Sequence, residues 1–219
     1  MVENAFSLCG ACWRETPFIE GTSCDTCGAS LPGMVEETAH CDDCMRIPRP
    51  WDRGRAALAY RDKGRSLILA LKHGDRQDLA RPAARWLCKA GADLFQENSL
   101  LVPIPLHWTR LLMRRFNQSA HIANELGRQA KVDAAPDALQ RTRRTPVQDG
   151  KGVSERFENI SGAIKVHPRR RHRIAGRSVI LVDDVMTSGA TLAEASEACF
   201  DAGAASVSIL VLARVCKDS

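Results

Sequence analysis

No apolar run in this 219-residue chain approaches the roughly 18 to 20 residues that a membrane span needs, the longer ones being Leu67 to Leu71 and Ile209 to Ala213. The first ten residues, MVENAFSLCG, carry Glu3 where a secretory leader wants Lys or Arg, and no apolar stretch follows. A cytoplasmic protein is therefore expected. Fifteen Gly and ten Pro are too few for a collagen-like or low-complexity chain. One Tyr, four Trp and six Phe leave little aromatic surface for stacking bases, which argues against a dedicated single-strand binder. Neither G-x-x-x-x-G-K-[ST] nor G-x-G-x-x-G occurs, so a P-loop and a dinucleotide fold are both excluded. What remains is ordinary globular material, 44% hydrophobic and 26% charged, long enough for one or two domains.

Charge is split along the chain. Residues 1–50 hold eight acids and three bases, net −5, so the remainder carries +10. An acidic module in front of a basic one that handles an anion, phosphate or nucleic acid, fits that split, although a solvated basic surface would give it too.

Six of nine cysteines fall in the first 44 residues as three C-x-x-C pairs: Cys9/Cys12, Cys24/Cys27 and Cys41/Cys44. Two thiolates at this spacing grip one tetrahedral Zn²⁺ from a tight turn, and two such turns complete a four-thiolate site. Disulfides suit a cytosolic chain poorly, and nothing around the pairs resembles the βαβ unit of a redox C-x-x-C. The spacing of Cys24, Cys27, Cys41 and Cys44, two-thirteen-two, matches a compact zinc ribbon and makes these four the first choice of ligands. Cys9 and Cys12 are then half a site. His40 beside Cys41 reads as a solvated neighbour rather than a ligand. So small a region, poor in large apolar side chains, depends on its metal to fold.

The prolines of Ile47–Pro50 (IPRP) read as a linker, which divides the chain into a cysteine-rich module over 1–50 and a second domain over 51–219. In that domain, Arg55–Tyr60 reads as a weak strand because of its alanines. Arg65–Lys72, Asp78–Ala92, Asn117–Gln129 and Thr191–Ala202 have helical spacing. Leu100–Pro105, Ser178–Val185 and Ala205–Ala213 read as buried strands. Strands alternating with helices predict an α/β fold with a mostly parallel sheet. Residues 51–98 and 130–177 are the least regular.

The chemistry concentrates in VILVDDVMTSGATL, residues 179–192. An apolar strand delivers adjacent carboxylates, Asp183 and Asp184, to its C-terminal end, and a loop of Thr187, Ser188, Gly189, Ala190 and Thr191 then opens a helix. Gly189 lets the backbone approach an anion, while hydroxyls, N–H groups and the helix dipole surround it. Such a cradle suits a 5′-phosphate, and the carboxylates are placed for vicinal ribose hydroxyls or for Mg²⁺. A buried strand before a capped helix would also use Asp and Thr, but not both carboxylates together with a hydroxyl-rich turn. A receiver domain is excluded because its paired Asp lie on the first strand, whereas only 35 residues follow Asp184 here.

LVDDVMTSGAT resembles the 5-phosphoribosyl-1-pyrophosphate (PRPP) motif of type I phosphoribosyltransferases. Nearly the whole chain resembles the ComF family of competence-associated proteins, in which a cysteine-knuckle module precedes that domain. VPIPLHWTRLLMRRFNQS at 102–119 is similar to that family's V-P-x-P-L and R-G-F-N-Q, as is the spaced set Thr145, Pro146, Gln148, Arg156 and Asn159. There are departures. Arg115 replaces the Gly before Phe-Asn-Gln, and DGKG follows Gln148 in place of a small-apolar-Leu-Ser run. Family members often carry a further C-x-x-C upstream. Here Cys9 and Cys12 would be the surviving half of a second ribbon, left by a truncated start, completed by a partner or dimer mate, or no longer metallated.

The resemblance implies a type I phosphoribosyltransferase-like sheet behind a structural Zn²⁺ ribbon. It places Asp183 and Asp184 at the ribose hydroxyls, Thr187 to Thr191 at the 5′-phosphate, and the loop after residues 100–105 at the pyrophosphate. In such transferases the bond to pyrophosphate breaks through an oxocarbenium-like state, stabilised by Mg²⁺ and basic groups. Eleven bases against three acids between Arg141 and Arg177 supply candidates, and Lys151 and Arg156 lie on what should be a mobile lid. Arg114 and Arg115 are further candidates. The run Arg169–Arg173 (RRRHR) is a candidate nucleic-acid patch or a solvated loop. The family's association with DNA uptake and natural transformation gives two expectations: a Mg²⁺-dependent phosphoribosyl transferase with an unidentified acceptor, or a catalytically silent PRPP-binding or single-stranded-DNA-handling accessory. Candidate partners are PRPP, single-stranded DNA, DNA-uptake proteins and a second copy of the chain.

Overall fold

The computed structural model describes residues 8–33, 38–72, 76–114, 116–143, 145 and 152–216. The cysteine-rich segment has two short helices, α1 (Gly10–Glu15) and α2 (Asp42–Arg46). Each is preceded at its N-cap by a knuckle cysteine, Cys9 and Cys41. Then follow β1 (Arg53–Ala59), α3 (Asp62–Lys72), α4 (Ala80–Ala90), β2 (Ser99–Pro103), α5 (Trp108–Arg114), α6 (Gln118–Ala130), β3 (Asp133–Ala134), β4 (Leu139–Arg141), α7 (Val153–Ile160), β5 (Ile164–Val166), α8 (Arg171–Ile174), β6 (Ser178–Met186), α9 (Ala190–Asp201) and β7 (Ser206–Arg214).

Five strands form an all-parallel sheet in the order β1-β7-β6-β2-β3. A parallel sheet buried on both faces needs near-continuous apolar strands, and every residue of β2 and the first five of β6 are buried. Alternate residues serve opposite faces. Leu101, Ile180, Val182, Leu210 and Leu212 pack under α3, α4 and α6, through Ile68, Leu87, Ile122 and Leu126. Leu100, Val102, Val179, Leu181, Ile209 and Val211 pack under α9, through Leu192, Ala195 and Cys199. The fold is α/β, as expected.

Strand order also locates a crevice. The chain leaves β2 through α6 toward β3 on one side, and leaves β6 through α9 toward β7 on the other, with the two helices on opposite faces. The C-terminal ends of β2 and β6 therefore meet at a topological switch point, where open α/β sheets bind ligands.

Two expectations are corrected. Residues 51–98 are not irregular: β1 pairs in parallel with β7, and α3 and α4 cover the sheet. The Cys24–Cys27 turn lies directly on β1, which leaves no room for a side chain at either glycine of the contact. A Cβ on Gly54 would stand 2.3 Å from the Thr26 carbonyl oxygen, and one on Gly28 would stand 2.4 Å from the Ala56 nitrogen. The N-terminal segment continues along the same strand, with Ile19 N–H bonding Ala57 O at 3.0 Å and Ala59 N–H bonding Pro17 O at 2.9 Å.

The described residues between 135 and 174 form a small hood. β4 and β5 pair antiparallel, and α7 leans on the start of α9 through Ile160, Phe157 and Ala190. The RRRHR run is part of this hood rather than a loop. It spans a 3₁₀ turn (Pro168–Arg170) and α8. Arg170 pairs with Asp137 at 2.6 Å, Arg171 donates to the Asp201 carbonyl at 2.5 Å, and Arg173 to the Ala134 carbonyl at 3.5 Å. No helix among the described residues is long and apolar enough to cross a membrane.

Candidate functional site

β6 ends where the crevice opens, and there it presents Asp183 and Asp184. Asp183 Oδ1 accepts from Ser119 Oγ at 2.9 Å and from the Asp184 N–H at 2.9 Å, and Asp184 Oδ1 lies 3.3 Å from Lys72 Nζ. Burial, then the neighbouring Asp184 charge, raise the Asp183 carboxyl from the ordinary carboxylate range to about 7; the two hydrogen bonds and Lys72 offset only part of this.

The Asn117-Gln118-Ser119 segment opens α6 and assembles these groups. Asn117 caps the helix, accepting from the N–H groups of Ser119 and Ala120, and donates to the Ile104 carbonyl at 3.0 Å. That ties α6 to the loop after β2. Gln118, almost wholly buried, donates to the Lys72 carbonyl at 3.2 Å, and Ser119 reaches Asp183. These side chains and Lys72 were missed as site residues in the sequence. The motif similarity flagged 117–119 without a role, and nothing in the sequence singles out Lys72, since its partner lies 112 positions away.

Beyond β6, Thr187 to Thr191 wrap a cavity of about 30 Å³. Gly189 has φ +84°, a left-handed conformation that a side chain strains, and a Cβ there would stand 2.8 Å from Met186 Cε and 3.0 Å from Arg49 Nη1. Ala190 N–H donates to Ser188 Oγ at 3.4 Å, and α9 follows at once, its N-terminal dipole end at the loop. Arg49 donates to the Ser188 carbonyl at 2.6 Å; Arg214 donates to the Thr187 carbonyl at 2.8 Å and the Met186 carbonyl at 3.3 Å. Both arginines escaped sequence reasoning. The linker expected at Ile47–Pro50 thus carries a residue that grips the loop.

Burial opposes the Arg214 charge, but the facing sulfurs of Cys27, Cys216 and Cys41 more than offset it and raise the guanidinium above its ordinary value. Of the lid candidates, Arg156 lies on α7 beside the start of α9, whereas Lys151 falls outside the described residues, as do the motif residues Pro146 and Gln148 and the further basic candidate Arg115.

The sulfurs of Cys24, Cys27, Cys41 and Cys44 all lie within 4.8 Å of one another. Hydrogen bonding to Cys24, then burial, pushes Cys27 up to about 11, and the same crowding pushes Cys44 up. A divalent cation relieves such a cluster by replacing the shared protons, and four thiol donors in a tetrahedral-sized group suit Zn²⁺. His40 is turned to Thr26 Oγ1 at 2.9 Å rather than to the sulfurs. Cys9 and Cys12 do not join the cluster: Cys9 Sγ accepts the Cys12 N–H at 3.5 Å at the head of α1, and that bond lowers the Cys9 pKa. Cys199 is buried in the core and its thiol is pushed up to about 12 by burial alone.

Comparison with known proteins agrees with this division. The double zinc ribbon domain family matches residues 1–45, and the phosphoribosyl transferase domain family matches residues 117–218. DNA utilization protein YhgH of Escherichia coli is 29% identical over 214 residues, 95% of this chain and 91% of that protein. Competence protein F of Haemophilus influenzae is 26% identical over 212 residues, 94% and 90% of the two chains. A hypoxanthine-guanine phosphoribosyltransferase structure from Bacillus anthracis superposes with a TM-score of 0.41 at 18% identity, covering 65% of this chain and 75% of that one. The ComF-family resemblance carried by the motifs is borne out by the two full-length relatives.

Proposed function

We propose that this chain, a homologue of competence protein F and DNA utilization protein YhgH with a phosphoribosyl transferase domain behind a zinc ribbon, binds PRPP and transfers its phosphoribosyl group to an acceptor. The observation that carries the reading is the pairing of two carboxylates and an anion loop, side by side at the switch point of the sheet. Asp183 and Asp184 hold the ribose hydroxyls, and the N–H groups of residues 187–190 hold the 5′-phosphate. The oxygen donors of the two aspartates also suit Mg²⁺, which supplies charge neutralisation for the pyrophosphate. The bond from the anomeric carbon to pyrophosphate oxygen breaks, the electron pair leaves with pyrophosphate, and the acceptor nucleophile takes its place on that carbon. Lys151 and Arg156 belong to the lid that stabilises the departing charge. Cys24, Cys27, Cys41 and Cys44 hold the structural Zn²⁺ of a module over residues 1–50. The relatives' names, DNA utilization protein and competence protein, support a role for the reaction in DNA utilization. Three arginines of the RRRHR run are engaged within the protein, with Asp137, the Asp201 carbonyl and the Ala134 carbonyl, which disfavours a DNA-contacting role for it.

Calorimetry of the purified protein with PRPP and Mg²⁺ tests the binding, and a pyrophosphate-release screen across nucleobases tests the transfer. Asn at both 183 and 184 should abolish PRPP binding with the fold intact, at about 1.5 to 3 kcal/mol for each lost charge-assisted set of hydrogen bonds. Unchanged affinity in that double variant would dismiss the site.

A further inference from the structure

An anion loop works only if its peptide N–H groups face the ligand, which requires the carbonyls to face away, because each C=O points opposite to the N–H of the next residue. Here three successive carbonyls, those of Met186, Thr187 and Ser188, are all held from behind. Arg214 takes the first two, assisted by the Val215 N–H on Met186 O at 3.0 Å, and Arg49 takes the third. Arg214 belongs to the sheet. Arg49 does not: it lies five residues past Cys44, on the segment that leaves the four-cysteine cluster.

The connection from cluster to loop is continuous. The Thr26 carbonyl, inside the Cys24–Cys27 turn, accepts the Trp51 indole N–H at 2.6 Å. The Arg49 guanidinium carbon stands 5.6 Å from the Trp51 ring centroid, and the same ring comes within 3.1 Å of where a Gly189 Cβ would lie. Cys41 and Cys44 fix the other end of the segment. Trp51 is thus tied to a cysteine turn on one side, and on the other its ring meets both the Arg49 guanidinium and the loop that Arg49 grips.

We propose that Arg49 is a positioning residue for the phosphate loop and that the cysteine cluster sets it, so that the metal-ordered N-terminal module is required for tight binding of the 5′-phosphate. This rests on the phosphoribosyl reading above. Released from Arg49, the Ser188 carbonyl is free to rotate inward, turning the Gly189 N–H away from the anion and placing a partial negative charge against it.

The probe is ribose 5-phosphate, titrated calorimetrically into the full zinc-loaded chain. Arg49→Ala should weaken binding roughly ten- to a hundred-fold, the scale of one charge-assisted hydrogen bond, with zinc content unchanged and the chain still folded at the temperature of the titration. Arg49→Lys should recover part of the affinity, since an ammonium still reaches one carbonyl. Stripping zinc with a chelator should reduce wild-type affinity at least to the Arg49→Ala level and reduce Arg49→Ala by a smaller factor than it reduces wild type, because the two perturbations share the Arg49 contact. Equal affinity in wild type and Arg49→Ala overturns the proposal, as do losses that add when both perturbations are combined, or a loss accompanied by release of zinc. If the wild type binds neither ribose 5-phosphate nor PRPP, the phosphoribosyl reading itself fails and the proposal falls with it.

Discussion

Replacing Asp183 by Asn should make the protein more stable relative to wild type as pH rises. In the folded chain the Asp183 carboxyl titrates near 7, against 3.8 ordinarily, for reasons of burial first and the Asp184 charge second. A raised carboxyl favours folding while it is protonated. That contribution is complete below about pH 4, is lost as pH rises toward 7, and is constant beyond. At pH 5 the unfolded chain has already released this proton while the folded one has kept it, which costs about 1.7 kcal/mol. By pH 8 the cost reaches about 4 kcal/mol, an upper bound because the side chain is not wholly sealed from water. Asn cannot ionise, so the stability difference between Asn variant and wild type should shift in favour of Asn by about 2 to 3 kcal/mol between pH 5 and pH 8. Urea unfolding of both proteins at the two pH values measures it. A difference that stays constant across that interval would show that Asp183 is already ionised at pH 5 and refute the assignment of a strained carboxylate. Under the proposed function Asp183 also holds the ribose, so binding of PRPP with Mg²⁺ should strengthen with pH up to about 7 as the carboxylate forms.

Metal analysis should find at least one tightly held zinc per chain; Cys24→Ser or Cys41→Ser should release it and unfold the N-terminal module, whereas Cys88→Ser should not, and a folded zinc-free protein would refute the cluster's role. Gly189→Ala should cost about 1 to 3 kcal/mol of stability, because the new methyl sits in a left-handed backbone against Met186 and Arg49, and should weaken phosphate binding as well; wild-type stability in a thermal melt would contradict that crowding. Replacing Arg169, Arg170, Arg171 and Arg173 by Ala should lower the melting temperature while leaving single-stranded DNA affinity unchanged between low and moderate salt. A salt slope flattened by about 0.7 logarithmic unit per lost contact would reinstate the patch.

The sheet was legible because β2, β6 and β7 are apolar runs bounded by turn residues, and the aspartate pair because it ends such a run just before a hydroxyl-rich turn. β1 was faint because its alanines carry little strand signal and its Gly54 answers to the turn packed on it, a contact that local periodicity does not record. α1 and α2 are too short to show a helical period and are fixed by the cysteines beside them. Arg49 and Arg214 are two bases among 31, and their partners lie 139 and 27 or 28 positions away, so only the folded chain identifies them. The four-cysteine cluster, by contrast, could be read from spacing alone, since two turns of fixed length meeting at one metal leave little freedom.

The N-terminal segment that runs beside β1 has a consequence for how the chain survives in solution. A parallel sheet has two rims of unsatisfied backbone groups, and a bare rim recruits other chains. At one rim β3 is only two residues long. At the other, Pro17, Ile19 and Asp25 occupy the outward-facing groups of Ala59, Ala57 and Gly54. The cysteine-rich module therefore also shields the sheet from aggregation, and a chain cut to begin at residue 51 would expose seven residues of β1 as an open template. Such a fragment should precipitate or associate even though it keeps the whole carboxylate and phosphate-loop sequence.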